Sequence, residues 1–459
     1  MADRIYNSDQ ELINHALKLH GKSLYEIHGA ISKKKFKGKG GFGNKVEKVH
    51  YGIENNNRPG PDVENLGVEI KTNPLEINRN GIVPAERISL SMINFDEILL
   101  ENFESSSFLR KNKKILFNMF LREKNQLEHE RKFLLIDLFK LKGNDLKVIK
   151  KDWHYIKTMA SSLKANDIHE GDTDYLGACT KGEKNQKLMP YCNGKASAKR
   201  RAYSFRPAFI RNLLTNYEVV NKSGVSVLIK KKKTQGSYVI LEERHNGSIE
   251  EATLEKFSKY LGSSDFTISK KFDFQQSFLD KTDKSRWHWL TSYILIGKRK
   301  KFLSREIEEF SKSGLTVKTI RVDKRNKPVE EISFRTINYE KLENKEWEES
   351  SLYEEMSSKF LWVVYKIIDD KTVLDKVFFW RMPLEDLDFI KKKWMKYSDL
   401  LRAKDFRSSY FMNDNSFYYL KIKDSKGGAN KKLENSIVTS LSHWFRKAYV
   451  SNIIESNCK

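Results

Sequence analysis

The sequence predicts a mixed α/β protein built as two copies of one domain, and three observations predict it. Helical and strand periodicities alternate through roughly the first 160 residues. Short blocks of the second half repeat blocks of the first in order, and the first copy carries a strand with two acids and a lysine at close spacing.

Taken in order, Gln10 to Leu19 places Leu12, Ile13, Ala16 and Leu19 at helical spacing, with Ser8 or Asp9 available to cap the helix. A basic, glycine-rich stretch follows, SKKKFKGKGGFGNKVEKV. LGVEIKT and RISLSMINF read as core strands of a mixed sheet, and FLLIDLFKL (Phe133 to Leu141) has strand length. DLKVIKKDWHYIKTMASSL has helical periodicity. From Tyr175 to Leu214 polar and basic residues interleave with aromatics, which reads as loops and a terminal helix. NKSGVSVLIKKKKTQGS, with four lysines from Lys230 to Lys233, reads as a linker or exposed hairpin, so the domains are expected at 1–240 and 241–459.

The repeat rests on ordered matches. GVEIKT at Gly67 resembles GLTVKT at Gly314 (314 − 67 = 247), and RISLSMINFDEI with Asn94 resembles EISFRTINYEKL with Asn338 (338 − 94 = 244). Tyr175-Leu176 meets Tyr419-Leu420 at 244, and SFRPAF resembles WFRKAY, pairing Arg206 with Arg446 at 240. Chance similarity between two lysine-rich halves does not produce such an ordered series at nearly constant offset.

Composition sets the class. The 459 residues have a formal charge of +24 and 39% hydrophobic residues, which suits a packed protein with a polyanionic partner, although a lysine-rich surface also serves solubility alone. Three cysteines without a CxxC pair support neither a disulfide framework nor a zinc knuckle. The opening residues lack a signal-like apolar core and no run approaches the ~18 apolar residues of a membrane helix. A cytoplasmic protein without membrane association is therefore expected.

The chemistry concentrates in PGPDVENLGVEIKT. Asp62 precedes a strand on which Glu69 and Lys71 are two apart and share a face, while Val68 and Ile70 point to the core. Two carboxylates can hold Mg²⁺ for phosphodiester hydrolysis, and a lysine beside them can orient the attacking water. Asp62 and Glu69 are the expected metal ligands. As a bare pattern this is weak in so charged a chain, but upstream KGGFGNKVE adds Glu47, and Gly40 and Gly43 can permit a close backbone approach. GKGGFG also satisfies a dinucleotide-binding fingerprint, yet ISKKKFK before it is not the hydrophobic strand that fingerprint needs. No GxxxxGK[ST], HExxH or GxSxG motif is present.

KGGFGNKVE, PDVENLGVEIKT and FESSSFLRKN, in that order, resemble the family that unites the mismatch-repair nicking endonuclease MutH with type II restriction enzymes that cut GATC. YLGACTKGE and YEKLENKEWEES look like its larger, duplicated members. The resemblance implies a restriction-endonuclease-like PD-(D/E)xK core, Mg²⁺-dependent cleavage of double-stranded DNA at 5′-GATC, and a catalytic set of Asp62, Glu69 and Lys71 with Glu47 as the additional acid. It further implies an active-site lysine after the ESS segment, at Lys111, or at Lys113 if the alignment slips. By the same analogy the basic segment after the core gives Thr180, Lys181, Lys199, Arg200, Arg201, Tyr203 and Arg206 roles against DNA.

In the second copy Thr316 replaces Glu69, Lys318 is retained, and Glu309 stands where Asp62 falls (309 + 5 = 314, as 62 + 5 = 67). A threonine hydroxyl is a poor Mg²⁺ ligand. That copy is expected not to cut, while FYYLKIKDSKGGANKK and SHWFRKAYV, with Lys423, Lys426, His443 and Arg446, are expected to bind DNA. In the duplicated relatives this domain is regarded as an effector site for a second recognition sequence, and a monomer that dimerises on DNA is expected. A mismatch-repair nickase, a non-catalytic DNA-binding protein and an RNA-binding protein are the competing readings. The second copy argues against the first, and the intact Asp62, Glu69 and Lys71 argue against the second.

Overall fold

The computed structural model describes residues 5–30, 41–54, 59–78, 81–123, 126–182, 187–222, 225–231, 237–272, 285–337, 346–402, 416–422, 430–433, 436–439 and 441–457. The chain divides into two compact units, Met1–Gly236 and Ser237–Lys459.

The N-terminal unit opens with α1 (Asp9–Ala16), capped by the Ser8 hydroxyl accepting from Glu11 N–H at 3.1 Å. Its central sheet comprises β1 (Val68–Asn78), β2 (Gly81–Pro84), β4 (Lys114–Leu121) and β5 (Phe133–Lys140) in the order β2-β1-β4-β5. The β1–β4 pair is parallel and the other two are antiparallel. Ile115 to Phe120 of β4 are all buried, because this strand lies inside the sheet with both faces covered. Val68 and Ile70 enter a core with Phe42, Val46, Tyr51, Leu116, Phe120 and Phe133.

A second sheet, β3-β9-β6, is built from β3 (Ser89–Met92), β6 (Leu176–Thr180) and β9 (Arg201–Phe205). RISLSMINF therefore supplies a strand, but in a different sheet from LGVEIKT. The segment expected as loops holds β6, β9 and a small ribbon of β7 (Met189–Tyr191) with β8 (Ala196–Ala198), before α7 (Pro207–Leu214). Helix α6 (Gly143–Ser161) packs on β6, and its Val148, Ile149, Trp153, Ile156 and Ala160 are buried at helical spacing. Its buried Asp152 accepts the backbone N–H groups of Asp174, Tyr175 and Leu176 at 2.7 to 2.9 Å and so fixes where β6 begins. The lysine-rich stretch near residue 225 is a hairpin of β10 (Tyr217–Lys222) and β11 (Val225–Lys230).

The C-terminal unit repeats this plan. Strands β12 (Thr316–Val322), β14 (Phe360–Ile368) and β15 (Lys371–Trp380) pair as β12-β14-β15, parallel then antiparallel, like β1-β4-β5. Strands β13 (Ile332–Thr336), β16 (Tyr418–Ile422) and β19 (Leu441–Phe445) pair as β13-β19-β16, like β3-β9-β6. The register is equivalent too: Glu69 faces Ile115 across the parallel pair, as Thr316 faces Phe360. The fold is thus a duplicated, mixed α/β restriction-endonuclease-like core. Among the described residues no helix is long and apolar enough to cross a membrane.

Candidate active site

The site forms where β1 begins. Val63 and Val68 exchange backbone hydrogen bonds at 2.9 and 3.2 Å across a tight turn closed by Gly67, whose φ of +64° suits glycine. The turn folds Asp62 back along the strand, where a carboxylate oxygen accepts Ile70 N–H at 2.8 Å. Glu69 and Lys71 leave one face of β1, and Lys71 Nζ donates to Glu69 Oε1 at 2.6 Å.

From the element before β4, α5 (Ser107–Asn112), Lys111 Nζ lies 3.7 Å from the same Glu69 oxygen. The Ser106 hydroxyl caps that helix, accepting Leu109 N–H at 3.1 Å, which fixes the face Lys111 occupies. Lys113 is exposed, and of the two lysines proposed for this position it is Lys111 that reaches Glu69.

Glu47 comes from a third element. Helix α3 (Gly41–Val46) runs into a π-helical turn, Glu47–Tyr51, that ends at Gly52. Burial, then Asp62, push its carboxyl up to about 7, Glu69 pushes the same way, and Lys71 and Lys111 oppose them. Glu69, 2% exposed, is likewise raised, first by burial and then by Asp62 against the pull of Lys71. Five charged side chains from three elements therefore feel one another. Gly43 makes no close approach, since a Cβ there would meet only Thr72 Cβ at 3.9 Å, and Gly40 lies outside the described residues.

The donor set suits a hard divalent cation. Glu69 Oε2 is buried and has no hydrogen-bond partner among the described residues, a costly state for a carboxylate oxygen unless a ligand satisfies it. Among the described residues no group of three or more His, Cys, Asp or Glu side chains is placed to hold a metal ion. Mg²⁺ takes one or two carboxylates and completes its shell with water and phosphate oxygens.

Sequence reasoning missed the bracing behind Glu47. Tyr51 donates its phenol to Asn118 Oδ1 of β4 at 2.6 Å, with both side chains fully buried, and so ties the turn to the sheet. His50 Nδ1 lies 2.9 Å from His28 Nε2, and its ring stacks on His15 at 4.4 Å. The signal was available in KILFNMFL, where Asn118 is a lone amide in an apolar strand.

The expected DNA-contact residues separate into two groups. Thr180 and Arg200 are exposed, Lys181 and Lys199 partly so, and the strand ends bring them together: Lys181 N–H donates to Arg200 O at 2.8 Å. The others pack within their own unit. Arg201 is 7% exposed and donates to Ala178 O and Asn166 O, and Arg206, 2% exposed, donates to Glu170 O and Thr173 O. Tyr203 is buried against Phe108 at 4.7 Å. In the second unit His443 is buried beside the Tyr418 phenol, and Arg446 Nε donates to Ser416 O at 2.9 Å with its guanidinium 4.3 Å over Tyr419. Lys423 and Lys426 lie outside the described residues.

The equivalent place in the C-terminal unit has different chemistry. Thr316 stands for Glu69, and Lys318 Nζ donates to Ser333 O at 2.8 Å with Phe334 3.9 Å beneath it. Glu309 is buried inside a helix, Glu308–Ser313, and accepts Ile240 and Leu241 N–H groups at 3.0 to 3.2 Å. It therefore caps backbone and does not stand in for Asp62. The helix Ser351–Met356, capped by Ser350 as α5 is by Ser106, places Glu355 where α5 places Lys111.

The family model for the DNA mismatch repair enzyme MutH matches this chain twice, at residues 51–152 and 300–393. The chain is also 31% identical over 406 residues to the type II restriction enzyme Sau3AI of Staphylococcus aureus, an alignment spanning 85% of this chain and 79% of that protein.

Proposed function

Because the chain belongs to the MutH-related family of type II restriction endonucleases, we propose that it cuts double-stranded DNA at 5′-GATC in a Mg²⁺-dependent reaction centred on Asp62 and Glu69. Site-specific DNA cleavage is the activity of that family. The observation that carries the finer reading is Glu69, whose buried Oε2 has no hydrogen-bond partner among the described residues while its Oε1 meets Lys71 and Lys111.

Asp62 and Glu69 would hold the ion, which when bound neutralises charge on the scissile phosphate and favours hydroxide over water. Lys71, at 2.6 Å from Glu69 Oε1, orients the attacking water, and Lys111, 3.7 Å from the same oxygen, contacts the phosphate. Glu47, with a carboxyl that titrates near neutrality, can hold a proton released at the site. Thr180, Lys181, Lys199 and Arg200 meet DNA at the end of the second sheet.

Residues 1–240 form the catalytic domain, and 241–459 form a domain that binds a second DNA copy without cutting it. Its Thr316, inward-bonded Glu309 and Glu355 support that division. A monomer with one active site makes a double-strand cut by pairing on DNA.

The test is digestion of unmethylated plasmid with Mg²⁺, beside EDTA and a Glu69→Ala variant, followed by sequencing of the ends. Fragments ending at GATC that vanish in both controls are expected. Binding without cleavage in either Mg²⁺ or Mn²⁺ would return the chain to a non-catalytic DNA-binding role.

A further inference from the structure

The segment after helix α10 (Arg286–Ile296) of the C-terminal unit differs in charge from its N-terminal counterpart. In both units a helical segment ends at a left-handed glycine, Gly52 with φ 70° and Gly297 with φ 67°, and the chain then runs towards the strand that carries the ExK or TxK residues. After Gly52 the sequence is IENNNRPGPD, ending in Asp62; after Gly297 it is KRKKFLSR, with five cations and no acid before Glu306.

Five residues before each glycine stand Glu47 and Ser292. Ser292 is fully buried, and its hydroxyl donates to Lys298 O at 2.6 Å and accepts Lys300 N–H at 3.0 Å. The position that supplies an acid in one unit thus supplies the pin of a cationic loop in the other. Aromatic faces support the charges. Arg299 lies 4.4 Å over Trp289, Lys298 and Lys300 lie 5.9 Å from Tyr238, and Lys301 and Arg305 lie 5.4 Å from Phe302, which is 53% exposed. Lys298, Arg299, Lys301 and Arg305 are exposed; Lys300 is half-buried and paired with Glu306 at 3.2 Å.

We propose that the segment Lys298–Arg305, a loop running into the short helix Leu303–Glu306, is a metal-independent clamp for the phosphate backbone of duplex DNA, in the C-terminal unit's counterpart of the segment that delivers the catalytic carboxylates. The inference rests on the reading that this unit binds a second DNA copy, and says how. Where the N-terminal unit needs a cation between its carboxylates and a phosphate, the C-terminal unit presents ammonium and guanidinium groups directly. Their loop is fixed in advance by a buried serine, so little ordering cost is added on binding. Phosphate contacts of this kind position the duplex and read no bases.

The experiment uses the full chain in EDTA, where nothing is cut. GATC duplex is titrated at 50 to 200 mM salt against the parent, a Lys298→Gln/Arg299→Gln/Lys301→Gln variant, and a Lys298→Arg/Arg299→Lys/Lys301→Arg variant that keeps the charge. Loss of three phosphate contacts lowers the salt slope for the second duplex by about 2.7, so over that fourfold range the parent's affinity falls about 40-fold more than the glutamine variant's. The charge-keeping variant should retain the parent's slope, which a misfolded loop would not. Two duplexes bound per chain with slopes equal in all three proteins would overturn the clamp and leave the second DNA site standing. A parent that binds only one duplex removes that reading and the clamp with it. Second-duplex binding that appears only with a divalent cation overturns the clamp alone.

Discussion

Replacing Glu47 by glutamine should stabilise the metal-free N-terminal unit at alkaline pH while impairing cleavage. Burial and the neighbouring Asp62 and Glu69 raise the Glu47 carboxyl from its ordinary 4.5 to about 7, against the pull of Lys71 and Lys111. The fold therefore holds this proton more tightly than the unfolded chain does. The stability it confers is fully present below pH 4.5 and is lost as pH rises through about 7. At ~1.4 kcal/mol per pH unit, that interval is worth about 3 kcal/mol. A glutamine has no proton to lose, so the variant's stability should stay flat where the parent's declines. Seven of the eight tryptophans lie beyond residue 236, so fluorescence would report the wrong unit. Hydrogen exchange of β1 and β4 amides, read by mass spectrometry in EDTA from pH 5 to 8.5, follows the right one. If the Glu47→Gln variant opens as readily as the parent at pH 8, or more so, the confined negative charge is not the cost argued here.

Three further outcomes are expected. Lys111→Ala should lower kcat by about 10²-fold, as loss of a positioned transition-state donor does, whereas Lys113→Ala, at an exposed position, should not; single-turnover cleavage separates them. Tyr51→Phe leaves Asn118 Oδ1 buried without its donor and should cost about 1–3 kcal/mol, with reduced exchange protection along Glu47–Tyr51 and slower cleavage. Acid should destabilise both units: burial, above all, lowers His50 and His443 from 6.5 to about 3. Below pH 6.5 the unfolded chain takes up protons that the fold refuses, so stability falls progressively towards pH 3. His50→Phe should blunt this in β1 and β4 amides only, and equal acid sensitivity with and without the imidazole would refute the assignment.

The strand carrying Glu69 and Lys71 was legible because its chemistry obeys the two-residue period: apolar residues go inward, and the charged pair shares the other face. α6 was legible because a long helix displays its buried stripe several times over. β9 was not. All five residues of RAYSF are buried, since this strand lies between β3 and β6 with both faces covered, so no alternation survives to mark it. Its arginine, and Arg206 just beyond, were read as DNA contacts because they are cations in a basic segment. The structure uses them as multidentate donors to backbone carbonyls of β6 and of the turns before it, a use that depends on tertiary position and leaves no local trace. Glu309 shows the same dependence on tertiary position: sequence offset gives it the place of Asp62, while a helix turns its carboxylate towards the amides of Ile240 and Leu241.

The duplicated core also shows what the candidate active site costs. Glu47 and Glu69 are both held in surroundings that oppose their ionisation, and Glu69 keeps an oxygen with no donor among the described residues. Nothing in packing rewards that arrangement; an amide or hydroxyl would satisfy the same space at lower cost. The second unit made such exchanges. Ser292 stands for Glu47 and commits its hydroxyl to the adjoining loop, and Thr316 stands for Glu69. A buried carboxylate was retained there at Glu309, where backbone amides satisfy it. Because both units share the same strand pairing and register, the fold itself does not require the acids. Their retention in the N-terminal unit calls for a ligand that offsets the penalty, and a cation shared with a phosphate meets that requirement.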